Sequence, residues 1–413
     1  MIIFWNSGRI KRFSFAFVFA LLIAIPIGYF FYPEQTKSLR EGDFPAFYSA
    51  AVIVREGLGH QLYDVKLQRD IQNQHWPDPV SGVLYFAYPP YFALILSPLA
   101  LFPPQTAKWV CAFFMALFLA LAIRITSKFA PIVKENPFAA AACCLGCAPI
   151  YVSLFAGQNT PLSMLCYALA VWSIGLGNSG GDYACGLVLG LWLFKPQFPL
   201  ILIFLLLLSR SWRVIAGFLF IAILYYMMGV ATSGPHWPIN WYSSAQWFAE
   251  QDFYFNQNRM ISIHGFLRAV GSWLHLRPSI AMLVNFAGYG ASAVLLSWLG
   301  ALFWKAGRLK DIEIKKEKLQ FLLCLSGPAM LLVSPHTLFY DLGIVCISLA
   351  GYLHLNSDAK KWIFLIGMTG IACFTLLRES VPFQPLFIVL LTALGYLSAY
   401  LRRRQVAPPG DVW

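Results

Sequence analysis

Charged residues are scarce in this chain of 413 residues: Asp, Glu, Lys and Arg make up 12% of it, whereas 59% is hydrophobic. A soluble globular protein has about a quarter of its residues charged. The chain also lacks the short alternating segments typical of membrane-spanning β-strands, because its apolar runs are about 15–20 residues long. Helices satisfy their own backbone hydrogen bonds in lipid. We therefore predict an all-α integral membrane protein that crosses the bilayer many times.

Disulfide, metal and nucleotide signatures are missing as well. All nine cysteines lie in apolar runs and none lies in a candidate external loop, so no disulfide framework is indicated. Cys143, Cys144 and Cys147 cluster, but no His or fourth Cys joins them, which favours packing inside a span over a metal site. No P-loop or Rossmann fingerprint is present, so a soluble nucleotide is not the obvious substrate. We predict neither a metal nor a cofactor.

Apolar runs define the candidate membrane spans. The first, residues 13–32, follows a basic flank and lacks a small-residue cleavage site, so we interpret it as an uncleaved span. The segment "YFAYPPYFALILSPLALFPP" is rich in proline, and we interpret it as interfacial or re-entrant. The remaining predicted spans are 106–123, 138–155, 160–176, a pair 183–194 and 198–208 broken at Lys195-Pro196, 214–230, 280–303, 319–333, 338–354, 362–377 and 383–400.

Positive charge sets the predicted orientation. With the N-terminus inside, the inner segments hold 19 of the 30 lysines and arginines, as the positive-inside rule requires. This gives about twelve crossings with both termini cytoplasmic, although an unbroken helix through Lys195 would change the parity. The net charge of +12 is thereby explained by membrane insertion, so we predict no nucleic-acid partner.

The predicted domain organisation is one multi-pass unit, residues 1–404, followed by a cytoplasmic tail, residues 405–413. Two large outer loops interrupt the spans. The first, residues 33–84, contains an amphipathic helix that starts at Asp43, and the second is residues 232–278.

Polar motifs at membrane depth all fall on the outer side of this threading, which predicts a single extracytoplasmic site. Ionisable groups in such places are functional candidates. The motifs are "EGDFPAF", "AGQNTP", "FKPQ", "NQNRMISIHGFLR" and "SPHTLFYD", and the candidate residues in them are Asp43, Gln158, Asn159, Lys195, Arg259, His264, His336 and Asp341.

Each candidate has a structural alternative. Asp43 precedes Pro45, and Gln158 and Asn159 precede Pro161, so these residues are also typical of helix starts. Lys195 is harder to explain structurally, because a helix broken at the following proline would place its ammonium group in a lined cavity.

The remaining candidates have alternatives too. His264, His336 and Asp341 can be merely solvated or stabilised by a helix dipole. Trp237, Trp241 and Trp247, in the second outer loop, predict an interfacial belt first and sugar-stacking surfaces second.

The residue types suit sugar transfer from a phosphate. A phosphate leaving group needs cations, for which Lys195, Arg259 and Arg268 are candidates. A sugar hydroxyl that attacks an anomeric carbon needs a carboxylate base, which Asp43 or Asp341 can supply. No nucleotide pool exists on the outer side, so a membrane-borne donor is indicated.

The segments "GDFPAFYSAAVIVREGLGHQLYD", "FAYPPYFALILSPLALFP", "LFAGQNTPLSMLCYALA", "CGLVLGLWLFKPQFPLILIFLLLLSRSWR" and "SPHTLFYDLGIVCISLA" resemble, in this order, glycosyltransferase family 87 of the GT-C superfamily. The resemblance covers residues 40–350 and implies a GT-C-like helical bundle in the cell (inner) membrane. It implies inverting transfer of a hexose, typically mannose, from a polyprenyl-phosphate donor to a glycan or glycolipid acceptor.

The same resemblance implies roles for individual residues. Asp43 would be the base, Lys195 would face the donor phosphate, Gln158 and Asn159 would line the sugar or acceptor site, and Asp341 would support it. Glu41 and Asp43 are not adjacent, unlike the paired acids of many GT-C enzymes, so we expect no metal-binding dyad. Two alternatives stay open: a carrier or flippase for a lipid-linked saccharide, and a non-catalytic assembly subunit.

Overall fold

The computed structural model describes residues 42–76, 83–135 and 147–353, with single positions at 137, 140, 141, 144 and 395. Within these ranges the regular structure is helical, and the only extended pairing is an isolated bridge between Met260 and Leu338. The prediction of an all-α fold is confirmed. The predicted spans 13–32, 362–377 and 383–400 and the tail lie outside the described residues, so the count of twelve crossings stays a prediction.

Fifteen helices follow one another along the described ranges, joined in places by short 3₁₀ turns. They are α1 (Phe44–Arg55), α2 (Val65–His75), α3 (Pro90–Leu96), α4 (Pro104–Thr126), α5 (Pro131–Glu135), α6 (Ala148–Phe155), α7 (Thr160–Gly175), α8 (Ser179–Leu191), α9 (Pro199–Leu208), α10 (Trp212–Ser233), α11 (Trp237–Asn256), α12 (Ile263–Trp273), α13 (Pro278–Gly307), α14 (Ile312–Val333) and α15 (Gly343–Leu353).

Three of these helices, α4, α10 and α13, are long and apolar enough to cross a membrane by length and composition. They also carry most of the large apolar side chains that other protein atoms leave uncovered, among them Phe113, Phe220 and Phe286, each exposed by at least 64%. In a membrane protein such faces meet lipid tails, which explains why the bundle needs no polar outer surface there.

The predicted break at Lys195 is confirmed. Helix α8 ends at Leu191, a 3₁₀ turn covers Trp192–Phe194, and α9 begins at Pro199. Lys195 itself is non-helical, with φ −122° and ψ 72°. Proline removes a backbone donor and disfavours helical geometry in the residue before it, so Pro196 ends the helix at Lys195. The alternative of one unbroken helix through Lys195 is thereby excluded.

The proline-rich segment forms the seven-residue helix α3 and the 3₁₀ turn Ser97–Leu101. The seven residues of α3 rise about 10 Å and the five of the 3₁₀ turn about another 10 Å, together about two thirds of the hydrocarbon thickness. This segment therefore does not cross the membrane as one straight helix.

Helix α1 differs from the prediction of an amphipathic helix in the first outer loop. Nine of its twelve residues are buried, including Ser49 and Ile53 as well as the expected apolar face. It packs against α2, α3 and α4, so a helix read as half-exposed from its periodicity is an interior element.

Glycine seams bring helices α8 and α10 into backbone contact. A Cβ atom on Gly186 would lie 2.0 Å from the Val214 carbonyl oxygen, and one on Gly217 would lie 2.5 Å from that of Tyr183. Small residues permit such close approach between membrane helices. This packing fixes the helix that leads into Lys195.

Two chemically different ends result from this helix order. One end is basic, because Arg213, Lys315 and Lys316 gather there around Asp182. Asp182 lies 3.9 Å from Arg213 and interacts with the charges of both lysines. Helices α7, α8, α9 and α14 each have one terminus at this end and the other beside a polar motif. The "AGQNTP", "FKPQ" and "SPHTLFYD" motifs therefore collect at the end opposite the basic residues.

Candidate functional site

Asp43 is held against the "AGQN" turn by its backbone. Its N–H donates to the Ala156 carbonyl oxygen at 2.9 Å. Gly42 and Gly157 have φ of +48° and +70°, and a Cβ atom on Gly42 would lie 2.1 Å from that same Ala156 oxygen. Because only glycine tolerates both this backbone conformation and this approach, the glycines of the two motifs bring Asp43 and Gln158 together.

The Asp43 side chain does not cap α1, although the residue occupies the N-cap position. Instead the carboxyl is half-buried at the polar end of the bundle. Burial raises the pKa of Asp43 to about 6; the negative charge of Asp252 raises it further, while a hydrogen bond from Gln158 and the charges of Lys195 and Arg259 lower it. A carboxylate with a pKa of about 6 is ionised at neutral pH and suits a general base.

Lys195 forms a buried ion pair with Asp341. The Lys195 Nζ and Asp341 Oδ1 atoms are 2.7 Å apart, and the two side chains are only 6% and 4% exposed. Thr160 Oγ1 donates to the same carboxylate oxygen at 3.3 Å, and the ammonium group lies 5.4 Å from the centre of the Tyr340 ring. The predicted phosphate-facing lysine thus already has a counter-charge, although an ammonium group has two further N–H donors.

The predicted second outer loop is tied to the "SPHTLFYD" turn. The Ile261 N–H donates to the Thr337 carbonyl oxygen at 3.0 Å, beside the Met260–Leu338 bridge. His336 Nε2 lies 3.4 Å from Asp252 Oδ2. These contacts hold the end of α11 against the turn that carries Asp341.

Asp252 is itself oriented, because its other carboxylate oxygen accepts a hydrogen bond from Asn256 Nδ2 at 2.6 Å. Arg259, whose Nη1 donates to Asn256 Oδ1 at 3.0 Å, is exposed and near enough to act on the charge of Asp43.

His264 lies elsewhere. Its ring stacks on Tyr289 of α13 with centroids 4.4 Å apart, and its backbone passes Gly288 of the same helix. Burial lowers the pKa of His264 to about 4, with a smaller contribution from Arg268, so the ring is neutral at physiological pH. The structure therefore brings seven of the eight predicted residues to one region and places His264 in the contact between α12 and α13. Arg268 lies with its guanidinium 3.6 Å from the centre of the Phe253 ring.

Several buried polar side-chain atoms in this region have no hydrogen-bond partner within the described ranges. Gln158 Oε1, Asn159 Oδ1 and Nδ2, and Thr337 Oγ1 are buried without a hydrogen-bond partner among the residues that the structure describes. Leaving a buried polar group unpaired costs about 1–3 kcal/mol. A polar ligand could supply the missing bonds, and a sugar carries many hydroxyl groups of the required kind.

Three further residues belong to this region and were missed by the sequence analysis: Thr160, Asp252 and Tyr88. Thr160 stands inside the quoted "AGQNTP" motif and Tyr88 inside "FAYPP", so position in a motif was an available signal. Asp252 lies in an aromatic helix without any motif, and only the fold brings it to His336.

The tryptophans of the second outer loop differ from the predicted belt. Trp237 is 7% exposed, and its Nε1 donates to the Tyr226 carbonyl oxygen at 3.2 Å. Trp241 Nε1 donates to the Ala87 carbonyl oxygen at 3.0 Å. The belt prediction is wrong for Trp237, because intramolecular packing against Tyr91 buries it; Trp247 stays 38% exposed.

Metal ligands do not gather in the described ranges, where no group of three or more His, Cys, Asp or Glu side chains is positioned to hold an ion. Glu41 lies outside the described residues. The absence of a metal stays a prediction.

The sequence profile of glycosyltransferase family 87 matches residues 86–335. The matched region contains Gln158, Asn159, Lys195, Asp252 and Arg259 and ends at residue 335, inside the "SPHTLFYD" turn and before Asp341. No curated protein and no solved structure gives a significant match. The match covers more than half of the chain, and the polar side chains of the matched region lie at one end of a helical bundle. The chain therefore belongs to glycosyltransferase family 87 and is a membrane glycosyltransferase.

Proposed function

We propose that this glycosyltransferase transfers a hexose, mannose in the first instance, from a polyprenyl-phosphate donor to a glycan or glycolipid acceptor at the extracytoplasmic face of the cell (inner) membrane, with inversion at the anomeric carbon. The observation that carries the proposal is the half-buried Asp43 carboxyl with its raised pKa, beside Gln158 and close to the Lys195–Asp341 pair.

Asp43 acts as the general base. It removes the proton of the acceptor hydroxyl while that oxygen attacks the anomeric carbon, and the bond from this carbon to the phosphate oxygen breaks. The products are the glycoside, the polyprenyl phosphate and a protonated Asp43, which then releases its proton to water. A single displacement of this kind inverts the anomeric configuration.

The charges around Asp43 suit a phosphate leaving group. Arg259 is exposed, and its positive charge acts on Asp43. Lys195 is neutralised by Asp341 but keeps N–H donors that can strengthen their bonds as charge develops on the phosphate. No protein metal is required in this scheme.

The membrane supplies the donor and sets the orientation. Apolar faces on α4, α10 and α13 give a polyprenyl chain a lipid environment beside the bundle. The site lies at the end opposite Arg213, Lys315 and Lys316, and a basic end marks the cytoplasmic side by the positive-inside rule. This arrangement supports an extracytoplasmic site.

The test is transfer by the purified protein in detergent, with polyprenyl-phosphate mannose and a membrane glycolipid extract. Mass spectrometry should detect an acceptor heavier by one hexose, and nuclear magnetic resonance should show the inverted anomer. A carrier forms no glycoside without a membrane barrier, so an unchanged acceptor pool across polyprenyl-phosphate hexoses would reject the proposal.

A further inference from the structure

A segment that is neither helix nor strand, Leu84–Tyr88, lies at the polar end of the bundle next to Asp43, and we call it the strap. Side chains of α2 hold its first half. Gln72 bonds both the N–H and the carbonyl oxygen of Leu84. Gln68 Oε1 accepts from the Phe86 N–H at 2.7 Å. Two glutamine side chains thus satisfy backbone groups that no helix or sheet pairs.

The second half of the strap is held from other elements. Trp241 Nε1 donates to the Ala87 carbonyl oxygen at 3.0 Å, and the Tyr63 hydroxyl donates to the Tyr88 carbonyl oxygen at 2.9 Å. Backbone groups of Leu84, Phe86, Ala87 and Tyr88 are therefore fixed by side chains from α11 and from the region around α2. Such a density of bonds on five residues fixes the position of whatever the strap presents.

Tyr88 is the residue that the strap presents to the site. Its ring packs against Phe47, Phe86 and Phe92 with centroids 5.2–5.6 Å apart. Burial and then the charges of Asp43 and Asp341 raise the pKa of Tyr88 far above its ordinary value, and its hydroxyl lies beside the Asn159 amide. The hydroxyl is thus placed among the two carboxylates and an amide whose own polar atoms are unsatisfied.

A hydroxyl in this position stays protonated and serves as a hydrogen-bond donor. Tyr88 and Asp43 are both half-buried, so neighbouring protein atoms do not cover either residue completely. A carboxylate, a tyrosine hydroxyl and a carboxamide that lie close together offer both donors and acceptors to a sugar hydroxyl.

We propose that the Tyr88 hydroxyl, together with the Asn159 amide, binds the acceptor sugar next to Asp43 and orients the attacking hydroxyl toward this base. The inference rests on the proposed function. It assigns the acceptor, rather than the donor phosphate, to the space between the strap and the "AGQN" turn. In this proposal Gln68 and Gln72 fix the position of the acceptor-binding Tyr88, because they bond to the backbone of the strap.

The test compares Y88F with Y85F. Both variants remove one hydroxyl from the strap and keep the ring, but the Tyr85 hydroxyl only accepts a bond from the surface residue Arg69 at 3.2 Å. Y88F should lower kcat/KM for the acceptor about 10- to 100-fold, as expected for one lost partner in a buried hydrogen bond, with the KM for the donor unchanged. Y85F should match the wild type. A purely structural role of Tyr88 predicts no change in Y88F, because the ring contacts remain.

A threefold or smaller effect of Y88F on kcat/KM for the acceptor would overturn the inference, and so would an equal loss in Y85F. Should Y88F fail to fold, N159S is the second variant: serine keeps a helix-start side chain but loses the amide, and the same selective loss toward the acceptor is expected. An unchanged acceptor KM in N159S would overturn the inference. D43N separates the two proposals. An active D43N refutes Asp43 as base, whereas an inactive D43N beside an unimpaired Y88F refutes only the role of Tyr88.

Discussion

Breaking the Lys195–Asp341 pair from one side should destabilise the protein far more than replacing both partners. D341L leaves the Lys195 ammonium buried without its counter-charge, and K195M leaves the Asp341 carboxylate buried without its own. Since both side chains are at least 94% buried, water cannot compensate for the missing partner.

The magnitude follows from the burial of the pair. Removal of one partner from a buried ion pair costs about 3–5 kcal/mol, whereas replacement of both by apolar residues of similar size is often neutral. We therefore expect each of K195M and D341L to cost about 3–5 kcal/mol and the double variant to cost much less than their sum. The coupling energy should be about 3 kcal/mol or more, well above the value of an exposed pair.

The assay is reversible unfolding in mixed micelles, followed by tryptophan fluorescence, for the wild type, both single variants and the double variant. R213M is the matched control, because Arg213 is 56% exposed and lies 3.9 Å from Asp182, a looser and partly solvated pair. It should change stability by less than about 1 kcal/mol. Strictly additive effects of K195M and D341L would refute the reasoning, since they would mean that the two charges do not depend on each other in the folded protein.

Three further predictions concern Asp43, the glycine turn and the two histidines. Transfer should fall as the pH drops through about 6, where Asp43 takes up its proton. Because the pKa of Asp43 is raised from 3.8 to about 6 in the folded state, the folded protein loses stability as the pH rises between these two values. D43N should therefore melt at a higher temperature than the wild type at pH 7.5, but not at pH 3.5. G157A should lower both stability and turnover, because its Cβ would lie 2.9 Å from a side-chain atom of α1. The control G57A, at φ +76° with open space around it, should cost only the backbone strain of about 1–2 kcal/mol. Equal losses of stability and turnover in the two variants would contradict this prediction. H336Q should impair transfer by loosening the contact to α11, whereas H264Q should leave turnover near that of the wild type, as measured by steady-state kinetics.

The sequence predicted those features of the fold that depend on residues close together in the chain. Proline after Lys195 in an apolar run predicted a helix break, and the structure has a 3₁₀ turn and a non-helical Lys195 at this place. Polar residues that interrupt apolar runs also predicted their own assembly, because each run reaches the same end of the bundle. The structure places all candidates but His264 in one region at this end; their roles in a functional site stay predictions.

Long-range partners could not be predicted. Asp341 lies 146 positions from Lys195 along the chain, and no local pattern marks one as the counter-ion of the other. Gln68 and Gln72 look like surface residues of a polar helix, yet both are at most 3% exposed because they bond the strap. His264 stands in a polar stretch, and only the approach of Gly288 shows that it packs inside. Tertiary contact decides each of these cases.

Asp43 as the catalytic base is the central claim, and the most direct measurement is single-turnover transfer from polyprenyl-phosphate mannose by purified D43N at pH 7.5. Asp64 provides the matched control, because it is an exposed acid that caps α2 through a 2.9 Å bond from the Leu67 N–H, and asparagine can keep that bond. The account predicts that D43N is slower by a factor of about 10²–10⁴ while D64N keeps the wild-type rate. A folded D43N that transfers the sugar at the wild-type rate would contradict it.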